Sequence, residues 1–163
     1  MSANGLEVFD KTIHTTNIWL KEIGQGIGPD RQLAWKVLSV VLHKLRDRLP
    51  VEIAAHLGAQ LPILVRGVYY DQYQPARQPG DCRDFTQFCE EVGEWLSDAR
   101  PVDPRAATVA VFRTLSRHLP RGQLDIVRGS LPRSIREVWE AAEESASVAD
   151  REASRTAGSG AAL

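Results

Sequence analysis

Leu45-Arg46-Asp47-Arg48-Leu49-Pro50, continued by Leu61-Pro62 and Arg66-Gly67-Val68-Tyr69, occurs twice in this chain. Its second form is Leu115-Ser116-Arg117-His118-Leu119-Pro120, then Leu131-Pro132 and Arg136-Glu137-Val138-Trp139. At a constant offset of 70, Leu45, Leu49, Pro50, Leu61, Pro62, Arg66 and Val68 are matched by identical residues. Upstream, an offset of 76 carries Phe9 and Trp19-Leu20 onto Phe85 and Trp95-Leu96. An internal repeat constrains architecture more than any single motif does. Here it predicts an all-α fold: a tandem duplication of a roughly four-helix unit, packed as a pseudo-two-fold helical bundle. One such unit is too short to bury a sufficient core by itself, so the copies should pack together like the fused subunits of a dimer.

Apolar spacing places the helices. Leu6, Phe9, Ile13, Leu20 and Ile23 form one stripe of a first helix over 6–23. Asp30 caps a second over 31–48, whose wide apolar face makes it central. Leu49-Pro50 and Leu61-Pro62 punctuate a third over 50–59 and a fourth over 62–70, because proline suits a helix start. In the second copy, Asp84 with Gln87 reads as a capping box before a helix over 85–98. Asp103-Pro104 opens a helix over 104–118, followed by helices over 121–129 and 132–143. Nothing alternates as a strand would.

The chain thus divides into an N-terminal arm (1–5), repeat one (6–70), a Pro/Gln/Gly linker (71–84), repeat two (85–143) and an Ala/Ser/Gly tail (144–163) expected to be disordered. Its composition, 43% hydrophobic and 25% charged, is that of a globular protein. The net charge is −1; the first 80 residues hold nine Lys/Arg against seven Asp/Glu. Neither half is a polycation, so non-specific attraction to nucleic acid or anionic lipid is not expected. No apolar run approaches the roughly 20 residues that span a bilayer, and the first residues lack the basic and apolar regions of a signal peptide. A cytoplasmic location is expected, and Cys82 and Cys89 read as one linker and one core cysteine, not as a disulfide framework.

Trp19-Leu20, Leu45 to Pro50, Ala54-Ala55-His56-Leu57, Ala59-Gln60-Leu61-Pro62 and Arg66-Gly67-Val68-Tyr69-Tyr70 resemble the bacterial domain of unknown function 2267 family. The resemblance spans about residues 6–142. One departure is Gln72-Tyr73, where the family pattern has Gly-Trp after the Tyr-Tyr-Asp run. The resemblance implies a soluble, all-helical bacterial protein and brings no catalytic residue with it.

Positions common to both copies serve the fold first. Arg66/Arg136 should hold carboxylates or helix carbonyls, and Tyr69/Trp139 should fill the core between copies. Polar positions particular to one copy are freer to serve function. Arg46, Gln60 and Tyr70 stand opposite Ser116, Ser130 and Glu140, and with Arg48 and Tyr73 they form the candidate partner-binding surface. Arginine and tyrosine dominate binding hot spots. A purely structural reading of Arg46 and Arg48 also exists, since cations suit the last turn of a helix.

Three sharper readings are weaker. Ile53 to Gly58 followed by Val65-Arg66 resembles a helix-turn-helix, which makes a DNA-binding regulator using residues 50–70 the alternative function. Gly24-x-Gly26-x-Gly28 follows a helix, where glycines are ordinarily caps, and lacks the ending of a phosphate loop. His14, His43, His56 and His118 are scattered without metal-ligand spacing. No catalytic, cofactor-binding or metal-ligating set is therefore assigned. The expected role is a non-catalytic protein-binding adaptor or regulator, with another protein or a second copy of the chain as partner.

Overall fold

The computed structural model describes residues 5–159. Apart from Gly5, the N-terminal arm lies outside the described residues, as do residues 160–163 of the tail. The described residues form eight α-helices: α1 Glu7–Ile27, α2 Arg31–Arg48, α3 Val51–Gln60, α4 Ile63–Tyr70, α5 Phe85–Trp95, α6 Pro104–His118, α7 Arg121–Gly129 and α8 Arg133–Ser159. A 3-10 turn at Pro75–Arg77 interrupts the linker, and no strand occurs among the described residues.

The starts are capped as their residue types dictate. Asp30 accepts from the amides of Gln32 and Leu33, and Asp103 accepts from that of Arg105. Asp84 accepts from the Gln87 amide, while the Gln87 side chain reaches past the cap to the Arg83 amide. Leu49, Leu61 and Leu119 each cap the end of a helix, Leu131 follows the Ser130 cap of α7, all four are buried, and each is followed by a proline that precedes the next helix.

The main helix pairings are α1 with α2, α4 and α6; α2 with α4, α5 and α6; α5 with α6 and α8; α6 with α8; α3 with α4 and α7; and α7 with α8. This set is unchanged when α1–α4 are exchanged for α5–α8. The widest contact is α1 on α6, and Gly26 makes it possible: a Cβ there would stand 3.0 Å from the Ala110 Cβ. Gly24 and Gly26 lie inside α1, which therefore runs four residues past the expected end; only Gly28, at φ 107°, acts as the cap.

Two expectations are corrected and one is refined. The apolar stripe of α1 is only half covered: Trp19, Leu20 and Ile23 are buried, whereas Leu6, Phe9 and Ile13 are exposed. α4 begins beside Thr12, whose hydroxyl accepts from the Leu64 amide at 3.1 Å. Tyr69 and Trp139 are fully buried in the shared core, but their hydrogen bonds are made within their own halves. The Tyr69 hydroxyl donates to the Ala54 carbonyl at 2.6 Å, and Trp139 stacks on Phe112 at 4.2 Å while donating to Ser116. Lastly, residues 144–159 are helix, not disordered tail. Ala, Glu and Arg favour helix, Ala142 and Ala146 are buried, and Asp150 meets Arg117 of α6 at 3.4 Å. Small residues suffice there because α8 lies directly on α6.

The α1–α6 contact predicts opposite outcomes at two helical glycines. Gly26→Leu should lower stability by about 1–3 kcal/mol through overpacking. Gly67→Ala, which meets nothing within 4 Å, should raise it by roughly 0.5–1 kcal/mol. Thermal denaturation of the two variants checks both.

Candidate functional site

The last turn of α2 ends at Leu49-Pro50, and its carbonyls need partners from outside the helix. The linker supplies them. The Gln78 side-chain Nε2 donates to the carbonyls of Arg46 and Leu49, and the Gly80 backbone amide donates to that of Asp47 at 2.7 Å. A Cβ at residue 80 would come within 2.8 Å of the Arg48 guanidinium and 3.2 Å of the Asp47 carbonyl, so this close approach favours glycine.

Arg46 completes the join from the other side. Only 3% exposed, it donates to the carbonyls of Tyr69 at 2.6 Å and Asp71 at 2.9 Å, and to the Asp47 carboxylate at 2.9 Å. It therefore satisfies the end of α4 and neutralises its own charge in one geometry. The Tyr73 ring lies 4.9 Å from the guanidinium, and its hydroxyl donates to the Gln78 side chain. Arg48, almost as buried, pairs with Glu91 of α5.

These locked residues form the floor and one wall of a cleft of about 410 Å³ between α2, the linker and the end of α5. Its exposed members are Gln72, Gln74, Arg77 and Trp95, with Lys44 and Asp47 half-buried beside them. Trp95 is 55% exposed, whereas its repeat match Trp19 is buried; Lys44 Nζ lies 4.8 Å from the centre of the Trp95 ring. Burial and the neighbouring Arg48 hold the Lys44 ammonium below the usual lysine range. His43 Nε2 donates to the Val68 carbonyl at 2.6 Å, and burial holds its pKa below the ordinary value.

The sequence-predicted surface is thus divided. Arg46, Tyr73 and Tyr70 come together, with Tyr70 and Tyr73 rings 5.8 Å apart. Arg46 is buried and Arg48 nearly so, and each is held by partners within the chain. Tyr70 lies over Gly58, where a Cβ would collide with its ring, and its hydroxyl donates to the Ala55 carbonyl at 3.3 Å. Gln60, exposed at the end of α3, does not line the cleft. Sequence reading missed Lys44, Arg77 and Trp95. Lys44 had a signal, because the matching position 114 is a buried threonine.

Other motifs settle into structural roles. Gly58 is inside α3, and the break falls at Leu61-Pro62. Arg66 donates to the carbonyls of Ala59 and Leu61, and Arg136 to that of Leu131. The exposed residues of α4 are Ile63, Leu64, Gly67 and Tyr70, none of them charged. Cys82 and Cys89 are free and half-buried; burial pushes the Cys89 thiol up to about 11, which leaves little thiolate to react. No helix among the described residues is long and apolar enough to cross a membrane.

Fold and cleft together define an all-α helical bundle with one cationic, tryptophan-edged recess held open by its own linker. Residues 16–138 match the family described as uncharacterized conserved protein (DUF2267), and the chain belongs to that family. No curated protein matches it.

Two outcomes follow. Arg46→Leu strands the carbonyls of Tyr69 and Asp71 and should cost about 2–4 kcal/mol in chemical denaturation. His43 binds its proton less readily folded than unfolded, so its contribution is complete above the ordinary value of 6.5 and is lost as the pH falls below it. Stability should therefore drop between pH 7 and pH 5, and His43→Gln, which keeps a donor for Val68, should flatten that drop.

Proposed function

We propose that the protein is a non-catalytic binding module, an adaptor or regulator acting in the cytoplasm, whose partner is another protein. The observation that carries this reading is the presence in one cleft of exposed Trp95 and Arg77 and half-buried Lys44 on walls that are already fixed. Trp and Arg are the residue types from which hot spots are built, and a preformed wall lowers the entropy cost of binding. Tyr70 extends the aromatic surface towards α3, with Gln60 further along it. The uncharged outer face of α4 favours a protein over a duplex, because phosphate contact needs free cations on the reading helix.

Nuclease-treated affinity capture tests the reading, with the wild type compared to a Lys44→Glu/Trp95→Ala variant of unchanged helical content. A protein partner that resists nuclease and is lost from the variant is the expected result. Capture of the chain by itself would make the partner a second copy. Recovery of nucleic acid in a parallel capture without nuclease, with no protein partner surviving the nuclease, would overturn the reading in favour of a DNA-binding regulator.

A further inference from the structure

We propose that the cleft receives an acidic segment of the partner, with a carboxylate between Lys44 and Arg77 and a neighbouring ring on Trp95. This inference rests on the binding-module reading and adds the partner's chemistry.

Charge selects the class of ligand. The lining carries Lys44, Arg46, Arg48 and Arg77 against a single acid, Asp47. That acid is held by Arg46 at 2.9 Å, and Arg48 is held by Glu91 of α5. Among the described residues, neither Lys44 nor Arg77 stands in an ion pair. Burial and Arg48 oppose the charged form of Lys44 more than Asp47 and Glu94 favour it, so Lys44 remains an under-compensated cation outside any ion pair. An incoming carboxylate would relieve that deficit.

Shape and donors favour a peptide over a phosphate. About 410 Å³ is more than one acidic group fills, and the half-exposed indole offers apolar area next to the cations. The exposed amides of Gln72 and Gln74 both donate and accept, as a peptide backbone requires. A phosphate cradle is built from free backbone amides, and here the Gly80 amide is already donated to Asp47.

Titration of the 15N-labelled full chain with acetyl-Glu-Phe-Glu-amide tests the proposal. Acetyl-Lys-Phe-Lys-amide and inorganic phosphate serve as the other two probes. The acidic tripeptide should shift the Trp95 indole and the 72–80 amide resonances saturably. Arg77→Glu, at an exposed site, should weaken that binding at least fivefold. Silence at Trp95, equal shifts from the basic tripeptide, or equal shifts from phosphate would each overturn the proposal. If the tripeptide fails while a protein partner is still lost from the Lys44→Glu/Trp95→Ala variant, the acidic chemistry falls and the binding module stands. If the tripeptide binds and capture recovers nothing, the cleft's chemistry is upheld and the adaptor reading falls.

Discussion

A single buried guanidinium, that of Arg46, connects the three pieces that make the cleft. Its bonds reach the end of α4, the start of the linker and its own neighbour Asp47, while Tyr73 covers its face. An unpaired charge in that position would be costly, so the surrounding carbonyls and carboxylate must stay in place while the protein is folded. Gln78 extends the join to the last carbonyls of α2, and Gly80 closes it. The linker is consequently a wall, and Lys44, Arg77 and Trp95 are presented from a fixed frame.

The two halves show which of these features are structural routine. Leu-Pro pairs end helices in both halves, and Arg66 and Arg136 each reach back to the leucine carbonyl of such a pair. At the Arg46 position the second half has Ser116, which accepts from Trp139, and the stacking of Trp139 on Phe112 needs no charged support. Conversely, Arg128 of α7 is buried between Asp125 and Glu143, where the first half has Gly58 beneath Tyr70. Each half thus has its own polar anchor. In the first half that anchor also holds the linker, and the cleft lined by Lys44, Arg77 and Trp95 results.

Helix order and most boundaries were legible because caps and prolines act locally. Asp30, Asp84, Asp103 and the Leu-Pro pairs do in three dimensions what their neighbours in sequence imply. Properties set by distant packing were not legible. The α1 stripe continues past the element that covers it, so Phe9 and Ile13 looked like core and are exposed. Trp95 matches Trp19 in the repeat and Trp19 is buried, yet α5 ends at Trp95 and leaves its indole at the rim. The small residues of α8 looked too weak to order a tail, but alanines suffice against a helix as close as α6. At the site, sequence singled out the arginines that build the cleft and overlooked the residues it exposes. An arginine rich in donors has the same signature whether it faces a partner or the chain's own carbonyls.

The central claim, that the linker is a fixed wall, is tested most directly by native-state hydrogen exchange at the Gly80 amide. The account predicts strong protection, because that amide is donated to the Asp47 carbonyl and lies against Arg48. Exchange at the rate of an unstructured Gln/Pro/Gly segment would contradict it.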